Sequence, residues 1–375
     1  MKQIRIFDYL EQYQALESDI HAAIRRALES GRIILGPERE SFEQEFGAFL
    51  SGEPTAAATP VHCVGVANGT DAISVILRAL GAGHGDEVIT VSNTAVPTVS
   101  AIRETGAIPV FCDVDAHTCL MDLDRVAECF SERTKAVIPV HLFGNVVDVP
   151  RLRSIIGDRD ISIIEDCAQC HGASLRGAMA GTMGTAAAFS FYPTKNLGAY
   201  GDGGMCVTGD PELAAVIRSV RMYGFDGLYY AEREGVNSRL DEIQAAILRV
   251  KLPHLHNHVE NRRRIAATYD AMLPAAAEPI ATSAGAIHAY HLYVVRVDNR
   301  DDVRARLSDK GIGTGVHYPF PIHLMRGYDF LGYQPGDLPV TERLAGEILS
   351  LPIYPELPPA DAERVCVALR EVIGE

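Results

Sequence analysis

The sequence predicts an α/β protein: one mostly parallel, seven-stranded sheet flanked by helices, followed by a smaller C-terminal α+β domain. Between residues 60 and 210, short continuously apolar, β-branched runs alternate with helical stretches. Strands apolar on both faces belong to a sheet covered on both sides, and the alternation with helices makes their pairing mostly parallel. A length of 375 residues and a hydrophobic content of 47% suffice to bury such a sheet without disulfide or metal staples.

Strands are expected at 62–67, 87–91, 109–113, 136–140, 161–165, 187–191 and 205–208, each a short run rich in Val, Ile, Ala or Phe. Helices fill most of the intervals, as at 72–80 and 96–104. From about Arg263 the pattern changes to a helix at 264–272, a strand at 291–297, a helix at 301–310, Pro-rich loops and a last helix at 360–373. Pro253 with His254, His256 and His258 interrupts a helical pattern just before this change. The expected division is therefore a large α/β domain over 1–252, including an N-terminal helical segment, and a small domain over 253–375.

Lys plus Arg number 34 against 49 Asp plus Glu, a net charge of -15. That balance disfavours binding to nucleic-acid backbones or to anionic membrane surfaces, both of which leave a basic footprint. No apolar run approaches a membrane span, and the opening residues lead into Asp8 and Glu11 without a signal-peptide core. The eight cysteines are scattered, mostly in apolar contexts, as in a protein of the reduced cytoplasm. Cys167-Ala168-Gln169-Cys170 is a CxxC without the second pair a zinc ribbon needs, so both thiols are expected to be packing residues and no metal is expected.

Ligands of open α/β sheets bind beyond the carboxyl ends of the strands, and three such ends carry reactive groups. After the first strand, Asn68-Gly69-Thr70-Asp71 leads at once into a helix. Its first N–H groups and the Thr70 hydroxyl suit a phosphate, although Asn, Thr and Asp also serve as plain helix caps. After the fifth strand come Glu165 and Asp166; a carboxylate buried there needs a cation or several donors. After the sixth, Ser190-Phe191-Tyr192-Pro193-Thr194-Lys195 runs into the glycine-rich segment 198–204. A lysine so placed is a candidate nucleophilic amine once desolvation lowers its pKa. An amine, a carboxylate for a ring nitrogen and donors for a phosphate together match pyridoxal phosphate.

Over nearly its whole length the sequence resembles the DegT/StrS family of pyridoxal-phosphate sugar aminotransferases, which have the aspartate-aminotransferase fold, fold type I. The resemblance rests on Gly36-Pro37-Glu38 with Phe42-Glu43, the Asn68 turn, Glu165 to Gln169 with His171-Gly172-Ala173, Ser190 to Gly204, Gly235 to Ala246, His317 to His323 and Leu351 to Pro355. The runs around Lys195 and Asn237 are the most specific. The resemblance implies that Lys195 holds the cofactor covalently and shuttles the proton, that Asp166 pairs with the pyridine nitrogen, and that Gln169 contacts the phenolic oxygen. It implies that Gly69, Thr70 and Ser190 bind the phosphate and that Asn237 reaches the phosphate of the neighbouring subunit, in a homodimer with shared sites. Tyr318 and His323 match a loop near the sugar pocket. One departure is Ser92-Asn93-Thr94-Ala95, where relatives carry an aromatic residue that stacks on the ring; Ala95 offers no such face.

The implied activity moves an amino group from glutamate, through the pyridoxal and pyridoxamine forms of the cofactor, to a keto group of a nucleotide-linked deoxy-sugar, dTDP being favoured. The run Asn237-Ser238-Arg239-Leu240 favours carbon 3 slightly over carbon 4. Alternatives are a pyridoxamine-dependent sugar dehydratase, which typically has His in place of the lysine; an aminocyclitol aminotransferase; and a non-catalytic regulator, which would have lost Lys195 or Asp166. A nicotinamide dehydrogenase is disfavoured because no GxGxxG follows the first strand.

Overall fold

The computed structural model describes residues 3–52 and 61–374; Met1, Lys2, residues 53–60 and Glu375 of the expected domain spans lie outside it. The chain opens with α1 (Leu10–Glu29) and α2 (Pro37–Ser51), then enters the sheet region. There β1 (His62–Val66), α3 (Gly69–Ala79), β2 (Glu87–Val91), α4 (Val96–Glu104), β3 (Ile108–Cys112), β4 (Thr134–Val137), α5 (Val149–Ile156), β5 (Ser162–Asp166), β6 (Ala186–Ser190), β7 (Gly204–Thr208) and α6 (Pro211–Val220) follow one another. All seven expected strands join a single sheet in the order β1-β7-β6-β5-β4-β2-β3. The pairs β2–β3, β2–β4, β4–β5 and β5–β6 are parallel, while β7 runs antiparallel to both β1 and β6.

This topology positions the site. Two successive antiparallel pairings restore direction, so β1 points the same way as β6, β5, β4, β2 and β3, and six carboxyl ends share one edge. Every residue of β2, β6 and β7 is buried, as a sheet covered on both faces requires. On one side Phe42 and Phe46 of α2 pack edge-on against Phe189 and Phe191; Cys167 and Cys170 belong to the same core. On the other, α3 and α6 lay Ile73, Ile76, Leu77, Leu213 and Ile217 over Val64, Ala186 and Cys206.

Helix α7 (Glu242–Lys251) leads through a single 3-10 turn at Leu252–His254 into α8 (Leu255–Met272). The interruption expected at Pro253 is therefore one turn long, and α8 begins nine residues before the 264–272 helix read from the sequence. Its buried stripe, Leu255, Val259, Arg262, Ile265, Ala266 and Tyr269, includes an arginine. Arg262 Nη1 donates to the carbonyls of Tyr290, His291 and Ile353, which makes a charged residue acceptable in a core.

The small unit pairs β8 (Glu278–Pro279), β9 (Tyr293–Arg296) and β10 (Ile348–Leu351) as an antiparallel sheet. Helices α9 (Arg300–Asp309), α10 (Pro339–Glu347) and α11 (Pro359–Ile373) complete it. Ile4 bridges to Ile312 and is buried in the small unit's core, so the first described residues belong with the C-terminal part of the chain. In the large unit, the Glu242 carboxylate at the start of α7 accepts the N–H groups of Gly36, Glu38 and Arg39 and caps α2. All eight cysteines are free. Among the described residues, no helix is long and apolar enough to cross a membrane.

Candidate active site

At the shared edge, β1 ends on Val66 and α3 begins at Gly69. Asn68 Oδ1 accepts the Asp71 N–H (2.8 Å), and the Asn68 carbonyl accepts that of Ala72 (3.1 Å). A helix supplies no intrahelical acceptor for its first N–H groups, so those of Gly69 and Thr70 are left for an outside acceptor at the positive end of α3. A Cβ on Gly69 would lie 2.6 Å from the Cβ of Ser190; the missing side chain is what lets the end of β6 close on the helix start. Ser238, fully buried, fixes this turn: its hydroxyl donates to Asp71 (2.6 Å) and accepts from the Ala67 N–H (3.0 Å). The result is a cradle of neutral donors, Gly69, Thr70 and Ser190.

Asp166 closes β5 and is 4% exposed. Its Oδ1 accepts the Ala168 N–H (3.1 Å) and its Oδ2 the Thr98 hydroxyl (2.8 Å). Burial raises its pKa above the ordinary aspartate value, against Ala168, Thr98, Lys195 and His141, which all favour the carboxylate. Lys195 lies in the turn after β6, its N–H bonded to the Tyr192 carbonyl (2.8 Å). Burial pushes its amine down to about 8, with Asp166 and Cys170 pulling the other way. A lysine near 8 holds a useful neutral fraction at physiological pH.

Gln169 is engaged at both ends: its Oε1 accepts the Phe143 N–H (2.7 Å) and its Nε2 donates to the Tyr318 hydroxyl (3.0 Å). One amide hydrogen remains for a ligand. Phe143 adopts a positive φ of 63°, an uncommon backbone state for a bulky residue that turns its N–H toward Gln169. Behind them, His141 Nε2 meets Glu165 Oε2 at 2.8 Å while Nδ1 accepts the Val147 N–H. Glu165 also takes the N–H groups of Gly181, Met183 and Gly184. His141, Glu165 and Cys167 bring ligand-type atoms within 4.8 Å of one another, but the imidazole and carboxylate are committed to this hydrogen-bonded brace.

The structure thus brings Gly69, Thr70, Asp166, Gln169, Ser190, Lys195 and Tyr318 to one edge of the sheet. His323 takes another part. It is 1% exposed, its Nδ1 bonds Ser92 Oγ (2.8 Å) and its Nε2 bonds Glu342 (3.1 Å). With both ring nitrogens taken, it braces the loop behind Tyr318. Asn237 is exposed and opens on a cleft of about 480 Å³ with Ala67, Gly201, Asp202 and Arg239, which includes neither Lys195 nor Asp166. Ala95 occupies the N-cap position of α4 and makes no side-chain capping bond.

Three participants were not singled out from sequence. Thr98 follows Pro97 in the first turn of α4, and this turn places its hydroxyl over Asp166; the only available signal was a pair of threonines four apart. His141 follows β4, where the strand-end rule alone points to it. Phe143 contributes a backbone group, which no residue type announces.

The donor set fits pyridoxal phosphate: neutral donors for a phosphate at a helix start, a buried carboxylate whose bonds from Thr98 and Ala168 favour its charged form, and a partly buried amine of lowered pKa. A sequence model of the DegT/DnrJ/EryC1/StrS aminotransferase family matches residues 14–370. The chain is 48% identical to the dTDP-3-amino-3,4,6-trideoxy-alpha-D-glucose transaminase of Micromonospora megalomicea subsp. nigra, over 98% of each chain. The crystal structure of Streptomyces venezuelae DesV in complex with a ketimine intermediate has a TM-score of 0.95 and 42% identity, covering all of both chains. NtdA of Bacillus subtilis, with bound cofactor PMP, gives a TM-score of 0.86 and 29% identity over 96% of this chain and 82% of that one.

Proposed function

The chain belongs to the DegT/DnrJ/EryC1/StrS aminotransferase family, and for this pyridoxal-phosphate-dependent aminotransferase we propose that the acceptor is a dTDP-linked deoxy-sugar with a keto group at carbon 3, aminated at the expense of glutamate. The observation that carries the reading is the convergence of Lys195, Asp166 and the Gly69–Thr70–Ser190 cradle on one sheet edge. The 48% identity with an enzyme named for a 3-amino sugar supports the position.

When bound, the cofactor supplies a carrier for the amino group and a ring that accepts an electron pair. Lys195 anchors it through Nζ and, when released, holds and returns a proton at that nitrogen, a role its lowered pKa suits. Asp166 holds a negative charge against the ring nitrogen. The amides of Gly69 and Thr70 with the hydroxyls of Thr70 and Ser190 orient the phosphate, and Gln169 directs its remaining amide hydrogen at the phenolic oxygen. Tyr318 faces the sugar, with His323 bracing the loop behind it.

Asn237 serves the second copy in a cytoplasmic homodimer. Leu228, Tyr229 and Tyr230 stand 85%, 87% and 67% exposed just before it, an apolar surface of the kind that a subunit contact covers. Mixing Lys195→Ala with Asn237→Ala subunits tests this, since only shared sites regain activity in the hybrid.

The acceptor is tested by incubating the holoenzyme and glutamate with a panel of dTDP-, UDP- and GDP-keto-sugars and reading the aminated carbon by NMR. Amination of the dTDP 3-keto-sugar is expected. Full transamination by Lys195→Ala, or product aminated only at carbon 4, sinks the respective part of the reading.

A further inference from the structure

Asp166 is not held by its own strand alone. Thr98 Oγ1 lies 2.8 Å from Asp166 Oδ2, and Thr94 Oγ1 lies 3.0 Å from Thr98 Oγ1. Both threonines are 2% exposed, so water does not compete for these bonds. An ionised carboxylate only accepts, so the Thr98 hydroxyl donates to Asp166, and its oxygen is then the acceptor for Thr94. The two protons point the same way, toward the carboxylate, and each bond polarises the next. Thr94 and Thr98 flank the N-terminus of α4, where Pro97 and the Thr98 N–H bond to the Ala95 carbonyl (3.2 Å) fix the turn. The relay occupies the segment in which Ala95 stands.

We propose that Thr98, backed by Thr94, is a positioning residue that keeps the Asp166 carboxylate charged and in one orientation for the cofactor's ring nitrogen. The inference rests on the reading that Asp166 faces that nitrogen. The other groups bearing on Asp166 are Lys195, His141 and the Ala168 N–H, with Tyr318, Cys167 and Cys170 within electrostatic reach. Of these, Ala168 and Thr98 alone bond its carboxylate oxygens among the described residues. Thr98 is thus the one side chain whose substitution removes a direct bond.

The test measures dissociation constants by visible absorbance on the full chain stripped of cofactor and reloaded. One ligand is pyridoxal phosphate; the other is its analogue with carbon in place of the ring nitrogen. Thr98→Val, close in shape, is expected to weaken pyridoxal phosphate about tenfold, the loss of one hydrogen bond to a charged group, while the carbon analogue changes by less than about twofold. Thr98→Ser, which keeps the hydroxyl, restores wild-type affinity. Thr94→Val shows the same selectivity at roughly two- to threefold, since it removes only the polarising bond. Equal losses for both ligands mean a general packing role and overturn the proposal, as does unchanged affinity for pyridoxal phosphate. Asp166→Asn separates the premise: if it does not discriminate between the two ligands, the placement of Asp166 falls; if it does and Thr98→Val does not, only the relay falls.

Discussion

Gly69→Ala probes the geometry of the phosphate cradle at a single point. The added methyl would sit 2.6 Å from Ser190 Cβ and 3.2 Å from Ser190 Cα, where ordinary contact begins near 3.4 Å. Neither neighbour is the loose end of a flexible chain, because Ser190 is locked in register opposite Gly204 on β7. The start of α3 and the end of β6 must therefore part by most of an ångström. Overpacking at such a site costs about 1–3 kcal/mol. Moving the Ser190 hydroxyl that far from an anion removes a charge-assisted hydrogen bond of about 1.5–3 kcal/mol, roughly 10- to 150-fold in affinity. The assay is a titration of the stripped protein with pyridoxal phosphate, beside its melting curve without cofactor. Gly346→Ala in α10 is the control: nothing lies within 4 Å of its Cβ, so it should gain up to about 1 kcal/mol of stability and leave cofactor affinity unchanged. A Gly69→Ala protein that binds as tightly as the wild type would refute the reasoning.

Lys195 is expected to govern the pH dependence of covalent cofactor loading. Its amine titrates near 8 and only the neutral form attacks, so the stopped-flow loading rate should rise through pH 8 and be about 100-fold lower at pH 6; a midpoint near 10 would contradict this. Glu165→Gln should destabilise the protein by about 1.5–3 kcal/mol for each hydrogen bond to the carboxylate that is lost, since the new amide nitrogen meets buried N–H donors of His141, Gly181, Met183 and Gly184 where an oxygen accepted before. Burial alone would raise the Glu165 pKa, but His141, Gly181 and Gly184 outweigh it and hold the carboxyl below its ordinary value. The wild type therefore gains stability above the unfolded carboxyl pKa and loses it as pH falls through the folded one, and Glu165→Gln should flatten that acid limb in urea melts. Glu242→Ala leaves the N–H groups of Gly36, Glu38 and Arg39 without their acceptor. A loss of at least about 2 kcal/mol is expected in denaturant unfolding, with α2 the first helix to exchange its amides.

The sheet was legible because burial on both faces demands runs such as Ile163-Ile164 and Ala187-Ala188, which few other structures require. The placement of Lys195, Asp166 and Gly69 at strand ends was legible because an amine, a carboxylate and a phosphate cradle each call for a particular residue type there. The start of α8 was hidden, since its buried stripe uses Arg262, which reads as a surface residue until its guanidinium meets the carbonyls of Tyr290, His291 and Ile353. Strand β10 was hidden because α10 ends at Glu347 and the strand begins at Ile348 with no turn residue between them. Thr98 and the Phe143 N–H act through direction alone, which composition does not encode.

Phe143 joins two parts of the molecule in a way that bears on catalysis. Its N–H holds Gln169 Oε1, while its carbonyl accepts the Leu292 N–H next to β9. The opposite end of Gln169 is tied to Tyr318, beyond α9 in the sequence. One amide group is thus strung between the loop after β4 and the loop that carries Tyr318, like a wire between two posts, with the sheet beneath it as fixed ground. A movement that separated Tyr318 from Phe143 would strain both bonds of Gln169, so this amide would register it directly. An infrared-labelled glutamine amide at this position would gauge whether such a movement accompanies substrate binding, independent of turnover.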